Sequence, residues 1–129
     1  MCTAESAIHQ KVKEAIVAGT ELDTELIFRS LGNTARVASN AVSREVVQIL
    51  KDGGQFEDVK DLVAGKRGVK VYEIGDLDAG IWSVGTSMGL INDIPTCDQL
   101  VSRIVADAEE LITERLADMV DVSARENVA

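Results

Sequence analysis

The stretch DAGIWSVGTSMGLINDIPTC, Asp78–Cys97, holds the only tryptophan, the only proline and three of the ten glycines of a 129-residue chain. Glycines and small hydroxyls at this density favour either a loop that holds a phosphate or a turn into the next helix. The glycine spacing matches neither GxGxxG nor GxxxxGK[ST], the two common phosphate loops. The spacing therefore favours a turn. The candidates for a cofactor contact are Gly85, Thr86 and Ser87.

A long amphipathic helix is predicted directly after this stretch. The sequence TCDQ reads as a capping box, in which the Thr96 hydroxyl accepts from the Gln99 amide and the Gln99 side chain reaches back. Apolar residues then recur at helical spacing along one face, at Leu100, Val101, Ile104, Val105, Ala108, Leu111, Ile112 and Leu116. The segment 93–118 is predicted to contain this helix, and 119–129 to be a frayed tail.

Upstream, the patterns predict a helix and then a short strand. Thr3 or Ser6 is expected to cap the first helix, and Gly19 to end it. The segment TELIFRSL, 24–31, mixes apolar and polar residues as a short strand does. A strand of this kind needs a partner.

Two further helical patterns and one ambiguous segment follow. Asn33 is predicted to cap a helix that carries Val37 on its apolar face and stops at the glycine pair 53–54. The segment 56–65 repeats the helical spacing and ends at a glycine, whereas GVKVYEIGD, 68–76, suits a strand or a helical turn. The expected fold class is mainly α with one or two short strands. Because an isolated strand is not a stable sheet, the chain is expected to complete a larger structure.

Composition limits the classes of function. The formal net charge of -9 at pH 7 disfavours nucleic acid and anionic membrane surfaces as partners. No apolar run approaches the roughly 20 residues of a membrane span. Cys2 and Cys97 lie far apart without a CxxC pair and without a basic neighbour, so both are expected to be inert thiols in a reducing compartment. We therefore predict a single cytoplasmic domain.

The residues form no visible catalytic constellation and no metal site. His9 is the only histidine, and on a short predicted helix it is expected to have a surface or packing role. Arg29 and Arg36 flank SLGNTA and suit either a phosphate contact or ion pairs with Glu25 and its neighbours.

Three blocks occur in the order known from one enzyme family. They are ELIFRSLGNTARVASNAVSREVV, QFEDVKDLVAGKRG and GDLDAGIWSVGTSMGLINDIPTCDQLVSRIVADAE. On these blocks the chain, from about Met1 to about Ala117, resembles the C-terminal part of the nitronate monooxygenases, once called 2-nitropropane dioxygenases. The blocks correspond to the last part of a longer family polypeptide.

The resemblance implies part of a (β/α)8 barrel flavoprotein that carries FMN. On that template, 1–76 resembles a small helical inserted domain, 77–92 a glycine-rich return segment, and 93–118 the helix that closes the barrel. The implied reaction is the oxidation of alkyl nitronates by dioxygen to carbonyl compounds and nitrite. Some relatives instead reduce quinones or other acceptors with NAD(P)H.

The resemblance carries over no catalytic residue. The family's catalytic histidine and most of its flavin loops lie outside these blocks, and His9 does not correspond to that histidine. Gly85 and Thr86 fall near a Gly-Gln pair of the family, with threonine here in place of glutamine. We expect a fragment that is inactive alone, in which Gly85, Thr86 and Ser87 form one side of an FMN pocket. The alternative is a noncatalytic helical module that dimerises or docks through its exposed apolar helix face.

Overall fold

Short helices and one hairpin make up the part of the chain, residues 1–120, that the computed structural model describes. In chain order the elements are α1 (Gln10–Ala18), β1 (Thr24–Ile27), a 3₁₀ turn (Arg29–Leu31), β2 (Ala35–Ala38), α2 (Ala41–Lys51), α3 (Phe56–Val59), α4 (Gly65–Ile74), a second 3₁₀ turn (Thr86–Leu90), α5 (Cys97–Glu110), a π-helical turn (Leu111–Arg115) and α6 (Leu116–Val120). The expected class, mainly α with one or two short strands, is confirmed. Most of the predicted tail, from position 121 onward, lies outside the described residues.

The chain divides into two units. The first contains residues 1–2 and 6–94, and the second contains residues 3–5 and the chain from position 95. Two hydrophobic clusters form the core of the first unit: Val12, Ile16, Ala38, Val71, Trp82 and Met88 in one, and Ile27, Val37, Val42, Val46, Leu50 and Val59 in the other. Because successive side chains of a strand point to opposite faces, β2 contributes Val37 to one cluster and Ala38 to the other.

The two strands pair as an antiparallel hairpin. The register runs from Thr24 opposite Ala38 to Ile27 opposite Ala35. The connecting turn contains Gly32 at φ 72°, a left-handed conformation that glycine adopts without steric cost. A two-stranded sheet is marginal by itself, so burial of its side chains in the two clusters stabilises it.

The helix predicted to start after Asn33 begins at Ala41 instead. Asn40 is the N-cap: its side-chain oxygen accepts from the Ser43 amide at 2.8 Å, and the Ser43 hydroxyl accepts from the Asn40 amide at 2.8 Å. The prediction of Asn33 as cap, and of Val37 as a helical residue, was wrong. The segment ARVA forms a strand because it pairs with β1. The spacing of its apolar residues fits a helix as well as a strand, so the sequence pattern alone does not separate the two conformations.

The first helix also begins later than predicted. His9, rather than Thr3 or Ser6, caps α1, and its Nδ1 accepts a hydrogen bond from the Lys11 amide at 3.2 Å. Histidine is outside the group of usual N-cap residues, so the pattern did not indicate it. The helix ends before Gly19, as predicted.

The segments after α2 differ in part from the prediction. Between positions 56 and 64 only Phe56–Val59 is α-helical, and Gly65 begins α4 rather than ending the earlier helix. The ambiguous segment is helical as far as Ile74, with Gly75 as its left-handed C-cap.

The second unit starts with the predicted capping box. Thr96 Oγ1 accepts from the Gln99 amide at 3.1 Å, and Gln99 Oε1 accepts from the Thr96 amide at 2.9 Å. Leu100, the first apolar residue of the predicted face, is partly buried. Seven large apolar side chains that follow it are about half exposed or more: Val101, Ile104, Val105, Leu111, Ile112, Leu116 and Met119. Within residues 1–120, none of the helices combines the length and the hydropathy that a membrane span requires.

Candidate functional site

Residues at the N-terminus of α2 form hydrogen bonds with the start of the glycine-rich stretch. Asn40 Nδ2 donates to the carbonyl oxygens of Leu77 at 2.7 Å and Gly80 at 2.8 Å. Asp78 Oδ1 accepts from the Ala41 amide at 2.8 Å. These hydrogen bonds fix the backbone of residues 77–80, which lead directly into residues 81–91.

Trp82 fixes the next part of the stretch. Its side chain is buried in the first cluster, and its carbonyl accepts from the Ala38 amide at 3.0 Å. The neighbouring Ser83 amide donates to the Tyr72 hydroxyl at 3.2 Å. The backbone that leads to Gly85 is therefore attached to β2 and to α4.

A cavity of about 420 Å³ opens beside this backbone, within the first unit. Its lining residues are Met1, Cys2, Ile16, Arg36, Ser83, Val84, Gly85, Ser87 and Ile91. Two of the three predicted cofactor contacts, Gly85 and Ser87, line the cavity, whereas Thr86 does not. The structure also brings Arg36 to the same cavity, which the sequence alone did not indicate.

Gly85 leaves open space at the cavity wall. A Cβ atom there would have one neighbour within 4 Å, Ser87 Oγ at 3.7 Å. Its φ of -100° is ordinary for any residue, so this glycine is not required by backbone strain. What it provides is close access to the backbone for a bound group.

Arg36 is the one charged side chain among the lining residues. Its Nη1 donates to Thr24 Oγ1 at 2.7 Å, and it forms no ion pair with any residue of the described chain. The alternative of an ion pair between either arginine and Glu25 is therefore wrong for residues 1–120. Arg29 lines a separate cavity of about 190 Å³, so the two arginines do not act at one site.

The cavity also contains a thiol. Burial raises the pKa of Cys2, whose Sγ lies 3.7 Å from the carbonyl oxygens of Lys13 and Asp93. A thiol with a raised pKa is a poor nucleophile at neutral pH, because the thiolate is the reactive form. In the described part of the chain, no three His, Cys, Asp or Glu side chains lie together as a metal site would need. The cavity thus offers backbone, hydroxyl and guanidinium contacts.

The structure is similar to that of FabK from Thermotoga maritima. The TM-score is 0.82 and the identity 27%, over 92% of this chain and 37% of FabK. A point mutant of the same FabK matches with a TM-score of 0.74 and 25% identity, over 92% of this chain and 34% of the mutant. No protein-family model matches the chain. The chain therefore has the fold of part of a TIM-barrel protein and spans little more than a third of the FabK length.

Proposed function

We propose that the chain supplies one wall of the flavin site of an FMN-dependent barrel oxidoreductase. The observation that carries the proposal is the cavity at Gly85 and Ser87, in a chain that matches FabK over 92% of its length. FabK is an FMN-dependent oxidoreductase with a TIM-barrel fold, and in such barrels the active site is built from loops at one face.

The lining residues fit one side of FMN. Flavin pockets combine apolar walls with a few polar groups that set the orientation. Ile16, Val84 and Ile91 give the apolar part, and Ser83, Ser87 and the backbone at Gly85 give the polar part. When bound, FMN supplies the electron transfer, and the residues of this chain bind its edge and exclude water there.

Other walls must complete this site. Within residues 1–120 the sheet has two antiparallel strands, whereas a barrel site needs the ends of several parallel strands. We propose that 1–76 acts as an inserted helical domain, 77–92 as the return segment beside the flavin, and 93–118 as the closing helix. The remaining walls would correspond to the part of FabK outside the match, and the chain alone is expected to be inactive.

Two reactions are candidates for the complete site. The three sequence blocks support oxidation of an alkyl nitronate by dioxygen to a carbonyl compound and nitrite. FabK is an enoyl-ACP reductase, so its similarity supports reduction of an enoyl thioester as the second candidate.

A chimeric FabK tests the proposal. The full chain replaces the matching segment of the Thermotoga protein, and FMN retention after gel filtration is compared for the chimera, parent FabK and the chain alone. We expect FMN in the chimera and not in the chain alone. Nitrite release from a nitronate, against consumption of NAD(P)H with an enoyl thioester, separates the two reactions. A folded chimera without FMN contradicts the wall assignment, and tight FMN binding by the chain alone contradicts the need for other walls.

A second candidate function is self-association through the second unit. Seven large apolar side chains of α5, the π-helical turn and α6 are between 49% and 62% exposed at helical spacing. Exposed apolar surfaces of this kind usually mark interaction sites. We propose that two copies of the chain pair through this face when no barrel covers it, which a mass measurement in solution tests.

A further inference from the structure

We propose that Arg36 binds an oxyanion group, a carboxylate or a phosphate, of a small ligand that enters the cavity beside Gly85 and Ser87. The inference rests on the proposed function, because it names the chemistry of a ligand of that same site. The sequence left a phosphate contact of Arg36 open as one of two alternatives, and the FabK match assigns no ligand contact to this residue.

The guanidinium group is held in place before any ligand binds. Arg36 lies on β2, and its Nη1 donates to Thr24 Oγ1 on β1 at 2.7 Å. The Thr24 hydroxyl in turn donates to the Glu21 carbonyl at 3.1 Å, which leaves its oxygen lone pairs to accept from Arg36. A side chain fixed in this way loses less entropy when it binds a ligand.

The remaining donors of Arg36 are available to a ligand. A guanidinium has about five N–H donors in a planar fork, and Thr24 is its one hydrogen-bond partner within residues 1–120. No carboxylate in that range neutralises it, although the chain has 22 Asp and Glu residues against 13 Lys and Arg residues. Two parallel N–H donors match the two oxygens of a carboxylate or phosphate.

The other lining groups favour the same ligand. Arg36 is half-buried, and the lining residues include no acidic side chain that would repel an anion. The hydroxyls of Ser83 and Ser87 have no hydrogen-bond partner among the described residues, so both can donate to an oxyanion. A charge-assisted bond in a partly buried site is stronger than one in open solvent.

A second cavity, of about 410 Å³, differs from this one in the net charge of its lining residues. It also contains one arginine, Arg44, but Asp23 and Asp78 line the same cavity. The two carboxylates make its net charge negative, so an anion is disfavoured there. Arg44 therefore serves as the matched control for Arg36.

Titration of the ¹⁵N-labelled full chain followed by NMR tests the inference. Sodium phosphate and sodium acetate are added separately at constant ionic strength, with sodium chloride as the reference. We expect saturable shifts of the Gly85 and Ser87 amides and of the Arg36 Nε–H with at least one of the two oxyanions. The anion that binds more tightly identifies the ligand group as phosphate or carboxylate.

Three variants decide whether Arg36 is responsible. Arg36→Gln should weaken binding about tenfold or more, whereas Arg44→Gln should leave it unchanged. Arg36→Lys keeps the charge but loses the planar fork, so binding should weaken less, and this variant decides the question if the Gln variant does not fold.

The inference is overturned if neither oxyanion gives saturable shifts beyond those of chloride, or if both Arg36 variants bind as the unmodified chain does. It is also overturned if Arg44→Gln weakens binding equally. Because no flavin is present in this titration, its failure leaves the chimera result untouched. Failure of the chimera to hold FMN likewise leaves the anion titration valid.

Discussion

The Asn40 side chain donates a hydrogen bond of 2.8 Å to the carbonyl of Gly80, although 40 positions separate the two residues in the chain. The same amide group also donates to the Leu77 carbonyl and accepts from the Ser43 amide. Asn40 is 7% exposed, so water cannot take the place of these hydrogen-bond partners. One side chain thus caps α2 and fixes the entry to the cavity wall.

Replacement of Asn40 by alanine should destabilise the first unit substantially. The loss of the N-cap costs about 1 kcal/mol, and the buried Gly80 carbonyl and the partly buried Leu77 carbonyl, both left without this donor, bring the total to roughly 3 kcal/mol. Urea unfolding followed by circular dichroism measures the change. Asn33→Ala is the control, because Asn33 is exposed, and it should change the free energy of unfolding by less than about 0.5 kcal/mol. Equal effects of the two substitutions would contradict the assignment of the helix cap to Asn40 rather than Asn33.

Two glycines of the same stretch should respond differently to alanine. A Cβ at Gly80 would lie 2.7 Å from the Arg67 carbonyl carbon and 2.9 Å from the Gly68 amide nitrogen, and backbone atoms of α4 cannot give way easily. Gly80→Ala should therefore cost about 1–3 kcal/mol. Gly85→Ala, which has open space, should cost less than about 0.5 kcal/mol. Thermal melts of both variants check this, and an equally large loss at Gly85 would mean that its wall is closed.

The sequence predicted best those features that local contacts determine. The capping box of Thr96 and Gln99 is formed within one helical turn, and its residues alone specify it. The strand ARVA was predicted as helix because its conformation depends on pairing with β1, twelve residues or so upstream, which no short window contains.

The candidate site was predicted only in part, because some of its residues are brought together by contacts between segments that are distant in the sequence. Gly85 and Ser87 were selected because they are adjacent in a glycine-rich stretch, and both line the cavity. That Arg36 joins them depends on the packing of β2 against residues far along the chain. The WSVG sequence itself contained a signal for Ser83, a hydroxyl two positions before Gly85, that the spacing argument did not use.

The two cysteines should react at different rates with a thiol reagent. Burial raises the pKa of Cys2, so its thiolate fraction at pH 8 is lower than that of an ordinary thiol, whereas Cys97 is exposed. Iodoacetamide should label Cys97 first, and the rate at Cys2 should keep rising with pH above the usual thiol pKa of 9.0. Peptide mass spectrometry after timed quenching gives both rates, and the denatured chain is the control in which they should converge. Faster labelling of Cys2 in the folded chain would show that the thiol is activated.

Ile104 provides the test of self-association. It is 58% exposed on the apolar face of α5, so Ile104→Glu should disrupt pairing of two copies without a large loss of stability. Ala106→Glu adds the same charge to α5 at an exposed position outside the predicted apolar face, and is the matched control. Sedimentation equilibrium should give the mass of a dimer for the unmodified chain and for Ala106→Glu, and of a monomer for Ile104→Glu, because a carboxylate in an apolar contact loses its hydration without a partner. If the unmodified chain is monomeric at every concentration, the apolar face does not pair two copies, and covering of the face by a barrel is the one proposed role that remains for it.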